Sequence, residues 1–442
     1  MKKQIQLAVL ALLLSTLNPQ LSTAFGQGAL TPPGAPAPLF KTLSQVEPRT
    51  PISSLPFVIT NSGGYYVTTN LFGVENNNGI TVSANYVTLD LGGFTLTGVL
   101  GSLAGINVNV GNARGLVVRN GTVANWGQNG INAASASLCS VTDVIASKNG
   151  AQGIAVGQSS VVGNCLAADN ATDGIYADAG STITRCTSRA NTNGIVASAE
   201  SVVTDCTASG NLRDGIAAGG GARVAGCTAR DNKLDGIFVL SASVESCVTL
   251  GNLRDGIAAL ASATISHCAA DANGRHGIFA GLGANPGQSA ISYCTATGNG
   301  TNGIYASSSS SVTHCTVNDN LVGIRADASS SVTDCTAERQ IGDGILIGSG
   351  CSAQNNLSTS SGWLTGSGAG IHVTGFGNRI DNNHLAFGDW GLLVTGSTNF
   401  ITRNTASANG TNYSITGIQT IGPIISASGT IVTNHPWANF AF

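Results

Sequence analysis

Charge, aromatic rings and long apolar runs are all scarce in this sequence. Asp, Glu, Lys and Arg make up 9% of the 442 residues, Phe, Trp and Tyr 5%, and the formal net charge is −3. That balance gives no whole-chain reason to bind nucleic acid or a membrane surface. Beyond Leu17 no apolar run approaches the roughly 20 residues that span a bilayer. The eleven cysteines form no Cys-x-x-Cys pair, so a zinc site has no support. No glycine loop suited to phosphates and no Ser-His-Asp arrangement is visible either. Glycine is what abounds, with 59 residues in a chain that is 42% apolar. Small and β-branched residues with little charge argue for stacked strands, not helices.

The first residues predict export. Lys2 and Lys3 precede the apolar run Ile5–Leu17, and Ser22-Thr23-Ala24 offers small residues for cleavage near Ala24. A proline-rich stretch follows, with Pro32, Pro33, Pro36 and Pro38. Proline removes backbone donors and stiffens the chain, so this segment is an extended leader. The expected organisation is a signal peptide over 1–24, the leader over 25–56, a repeat domain over 57–435 and a C-terminal cap over 436–442. The destination is extracellular, cell-surface or periplasmic.

Glycine followed by Ile or Leu recurs from Gly79 to Gly391, mostly at steps of 20 or 21 residues. That period means a solenoid. Between Ile216 and Val224 there is no room for a helix of 10–12 residues. Three short strands and three turns fit each repeat, and successive coils pair in parallel about 4.8 Å apart. The fold class is therefore all-β, a parallel β-helix of about fifteen coils of about 21 residues.

Three residue types recur in register. Isoleucines after the marker glycine, such as Ile195, Ile216 and Ile237, form an inward ladder. Asparagines three or four residues before it, Asn149 through Asn320, form a second. Asn suits left-handed turns, and its amide can bond the coils above and below. Nine cysteines, Cys165 through Cys335, form a third, with Cys139 and Cys351 off it. Side chains stacked on in-register parallel strands point the same way, a poor geometry for disulfides. Free Cys serves as a small buried hydrophobe instead.

Function is sought where the repeat departs from this default. The steps Gly277–Gly303 and Gly344–Gly370 are each 26 residues, which predicts loops near Gly281–Ser289 and near Trp363. The residue after each marker Ile points outward. There Tyr176, Phe238, Phe279 and Tyr305 replace small residues, and Arg325 and His372 extend the line. Sugars pack C–H faces on such rings, so these four and Trp363 are the glycan-binding candidates. Charge gathers in 205–276, in Arg213 with Asp214, Lys233 with Asp235, Arg254 with Asp255, and Arg275 with His276. Stacked carboxylates need Arg, Lys or a cation such as Ca²⁺ between them. This is either an ion-pair ladder or a site for an acidic sugar. Another cluster, His267, Tyr293, His314 and Asp334, sits at one corner on successive coils and offers acid–base chemistry. No other metal or cofactor is implied.

The Gly-Ile, Asn and Cys-Thr-Ala repeat resembles the right-handed parallel β-helix of the pectin-lyase-like superfamily. Leu30–Pro38, Glu47–Pro51, Tyr65-Tyr66, Val87–Phe94 and His435–Phe440 look like landmarks of exported bacterial β-helix proteins of unassigned function. The resemblance implies an entry coil near Tyr65–Phe94 and an aromatic cap at the end. Superfamily enzymes use aspartates with Arg or Lys for lyase action, or several aspartates for hydrolysis; neither pattern maps onto this chain. The sequence thus points to an exported protein that binds polysaccharide or serves as a surface-structural rod. The alternative is a lyase, epimerase or glycoside hydrolase acting in the outer groove.

Overall fold

A computed structural model of the protein describes residues 47–281, 288–364, 366–426 and 429–442. The expected signal peptide, most of the leader and most of the loop around Pro286 lie outside the described residues.

The chain winds as a parallel β-helix with three strand stacks. One coil contributes Ile216–Ala218, Arg223–Ala225 and Thr228–Arg230. Each strand pairs in parallel with its counterpart one coil on: Ile216 with Ile237, Val224 with Val244, Ala229 with Thr249. Most strands are three residues long, as a narrow interior requires. Alternation then sends one or two side chains inward. Ile216, Val224 and Ala229 are fully buried. Each buried isoleucine removes enough apolar surface to stabilise by about 2 kcal/mol.

Among the described residues the first stack holds seventeen strands, two more than the glycine markers announce. The additional ones are Phe57–Ile59 and Thr411–Ile415. Phe57 pairs with Ile80, and Tyr413 with Leu392, so a ring stands at each end of the aliphatic ladder. Pairing reaches further at both ends of the described chain. Thr50–Ile52, inside the expected leader, pairs with Tyr65–Val67, and Asn439–Ala441, inside the expected cap, pairs with Ile424–Ser426.

Most corners repeat one device, a residue in the left-handed region followed by an inward polar or thiol residue. In one coil these are Glu200 before Ser201, Asp205 before Cys206 and Gly210 before Asn211, with φ of 58°, 54° and 62°. Each ladder satisfies buried backbone groups coil to coil. Asn232 Oδ1 accepts from Asn211 N at 3.0 Å and Asn211 Nδ2 at 2.9 Å, and Asn232 Nδ2 donates to Asn252 Oδ1 at 2.9 Å. Cys227 Sγ donates to Ala225 O at 3.3 Å. Toward the C-terminus Asn356, Asn383 and Asn404 continue the cysteine ladder. Cys139 and Cys351 belong to the third, mostly serine, ladder: Cys139 N donates to Ser160 Oγ and Cys351 N to Asn378 Oδ1. All eleven cysteines are free and buried.

The marker glycines are small because of crowding, not because of backbone conformation. A Cβ on Gly236 would lie 2.6 Å from both Asn252 Nδ2 and Gly256 O. In the early coils the same space takes Trp126, which is 1% exposed and donates to Leu96 O at 3.1 Å.

Candidate functional site

Two outward columns share the face of the first stack, one just before each marker glycine and one just after each marker isoleucine. Asp214, Asp235 and Asp255 lie in the first, at 8%, 0% and 0% exposure. Asp235 Oδ1 accepts from Arg254 Nε at 2.7 Å and from Asp255 N at 3.1 Å, and Arg254 Nη2 closes a bidentate pair on Oδ2. Asp255 is held likewise by Arg275 and by His276 N. Burial pushes the Asp235 carboxyl up, against the pull of Arg254, and the Asp235 bond raises Arg254.

The pairing therefore runs between coils, whereas the sequence suggested pairs within a turn. Backbone bonds align Arg213, Leu234, Arg254 and Arg275 in one column. The turns read Asn211-Leu-Arg-Asp-Gly215 and Asn232-Lys-Leu-Asp-Gly236, so the basic residue Lys233 stands one place before the column and Leu234 takes the arginine's site. Asp214 consequently has no bidentate guanidinium; its Oδ1 accepts from Asp235 N at 3.1 Å.

The aromatic column divides into two parts. Phe279 and Tyr305 stack on each other at 5.2 Å, with His276 against both at 5.4 and 5.6 Å. Arg275 lies over Phe279 at 5.3 Å and Arg325 over Tyr305 at 5.2 Å. The faces of these two rings are thus occupied, and Phe279 is 6% exposed. Tyr305 donates to Asp327 at 2.5 Å, and burial together with that bond pushes its phenol up to about 12. Burial lowers His276 to about 4. Asn302 N donates to its Nδ1 at 3.4 Å, so the neutral ring carries its proton on Nε2.

Tyr176 and Phe238 are different. They stand three coils apart, about 14 Å, with Val196 and Ala217 between them. The small residues open a nearly apolar recess of about 220 Å³ beside Phe238, lined also by Ser198, Gly219 and Leu240. One ring face is open to this recess.

Elsewhere, His267, Tyr293, His314 and Asp334 do occupy successive corners. The rings stack at 5.2 and 4.8 Å, and His314 Nε2 lies 3.9 Å from Asp334 Oδ2. Trp363 is exposed, with Arg339 5.9 Å over its ring. Among the described residues no three His, Cys, Asp or Glu side chains cluster to hold a metal, and no helix is long and apolar enough to cross a membrane.

Sequence reasoning missed one pair. His372 Nδ1 lies 2.9 Å from Asp343 Oδ2, whose other oxygen accepts from Ala369 N, and His372 Nε2 is buried without a partner. Both residues sit in the two outward columns, but their contact crosses coils around a 26-residue step.

A family profile described as the right handed beta helix region matches residues 74–229 and 217–361. The chain belongs to the right-handed β-helix family. No curated protein matches this β-helix chain in sequence. Among solved structures, it is similar to the A-module of the Azotobacter vinelandii mannuronan C-5 epimerase AlgE4. Identity is 11%, coverage 82% of this chain and 91% of that one, and the TM-score 0.36. It is also similar to a tailspike protein variant of E. coli bacteriophage HK620 in complex with a pentasaccharide (11%, 81% and 71%, 0.31). A third is the catalytic unit of an alpha-1,3-glucanase from Streptomyces thermodiastaticus (12%, 87% and 62%, 0.30). Likeness at these identities extends to the fold alone.

Proposed function

We propose that this exported β-helix protein binds polysaccharide along the outer face of its first strand stack, without catalysis. The observation that carries this is the apolar recess beside Phe238, on the face that Tyr176 shares. A sugar ring offers a flat C–H face, and an open aromatic face beside small residues is the surface that packs on it. The closed stack of Phe279 and Tyr305 fixes the neighbouring stretch of the face and adds the Tyr305 edge and the half-exposed Arg325. The buried carboxylates Asp235 and Asp255 are committed to arginines, which favours binding over acid–base work.

Affinity electrophoresis of the purified protein through gels of neutral and acidic polysaccharides tests this reading. Retardation by at least one polymer, weakened about tenfold in Tyr176→Ala, is expected. A second reading, catalysis, is favoured by the unpartnered Nε2 of His372. Release of unsaturated, ultraviolet-absorbing products, abolished in His372→Gln, would replace binding by catalysis.

A further inference from the structure

A second polar site lies where the first stack turns toward the second. Asn112, Arg114, Ser135, Ser137, Gln158 and Asp178 line a cleft of about 300 Å³. We infer that this cleft binds one hydroxyl-bearing sugar unit through a vicinal diol. The inference rests on the polysaccharide reading above and supplies it with a subsite.

Three observations carry it. First, the side chains are uncommitted. Arg114 makes no ion pair with another described residue. Asp178 Oδ1 accepts only from Ala179 N, at 2.8 Å. Arg254 and Arg275, by contrast, are tied to Asp235 and Asp255. Second, the set is balanced. Arg114 and Asp178 cancel in charge, while amides and hydroxyls supply both donors and acceptors. That complements a neutral polyhydroxyl ligand better than an anion or a cation. Third, the volume is at the lower end for small-molecule sites, suited to a single ring. Asp178 follows Tyr176 by two residues, so the cleft borders the aromatic face. A carboxylate oxygen accepting from adjacent hydroxyls, with the guanidinium donating to their oxygens, would orient the ring.

The test is saturation-transfer NMR of the full-length protein with cellotriose, mannotriose and xylotriose, and with the corresponding monosaccharides. Transfer to at least one triose is expected, with affinity reduced at least tenfold in both Arg114→Ala and Asp178→Asn at unchanged melting temperature. Tighter binding of a triose than of its monosaccharide marks a chain end as the ligand, and equal binding marks a free sugar; either upholds the cleft. No transfer from any triose, or triose affinities unchanged in both variants, overturns it. Polymer retention measured separately on Phe238→Ala keeps the two readings apart. Loss of polymer binding with these cleft results negative overturns the cleft alone. Triose binding that depends on Arg114 and Asp178, with no polymer retained by the wild type, overturns the aromatic face alone.

Discussion

At the scale of single residues, two glycines separate two mechanisms. Gly236→Ala forces a methyl against Asn252 and the Gly256 carbonyl, and overpacking of this kind costs about 3 kcal/mol. Gly210→Ala meets nothing within 4 Å but sits at φ 62°, which costs about 1 kcal/mol. Urea melts of the two variants should rank them in that order. Asn232→Ala should also cost about 3 kcal/mol, since it removes the acceptor of Asn211 N and Nδ2 and the amide donor to Ala208 O in the interior. Thiols supply another check. Burial pushes Cys139 and Cys351 up, and all eleven are covered. A chromogenic disulfide reagent should find none in the native protein and eleven in denaturant. The ladders of Ile, Asn and Cys were legible in the sequence because identical residues recur at one period. The reason for each marker glycine was not, because the atoms that crowd it come from coils 20 residues away.

Among elements, the order of residues within each turn decides which charges meet. Arg254 and Arg275 reach the aspartate of the preceding coil, whereas Arg213 follows a coil that carries Asn193 in that column. Arg254→Ala should destabilise by about 3 kcal/mol because it leaves Asp235 buried and unpaired. Arg213→Ala should stay within about 0.5 kcal/mol. The sequence located this cluster but paired it within turns, since the spacing does not tell which coil an arginine side chain reaches. A clasp near the C-terminus carries the pH dependence. Burial works to raise Asp381, yet bonds from Arg403 and Arg379 bring it down to about 2. Its folded value lies below the unfolded value of about 3.9. Its stabilisation, about 2 kcal/mol, is therefore present above pH 4 and lost as pH falls toward 2. Thermal melts across that window should fall less steeply in Asp381→Asn than in the wild type.

For the whole molecule, the regular coil makes an inert scaffold and leaves function to the outward columns. The family and the coil architecture were legible from the repeat. The division of the aromatic column was not. Spacing placed Tyr176, Phe238, Phe279 and Tyr305 on one face, but only adjacency between coils shows that the last two close on each other while the first two stay open. Binding at the open recess draws on apolar contact, so polymer affinity should change little between low and high salt. The most direct measurement compares Phe238→Ala with Phe279→Ala, reading polysaccharide affinity and melting temperature together. Phe238→Ala should lose about tenfold in affinity and melt like the wild type, while Phe279→Ala should melt lower because a buried ring is removed. Full affinity in Phe238→Ala, with the loss appearing in Phe279→Ala at an unchanged melting temperature, would contradict binding at the open recess.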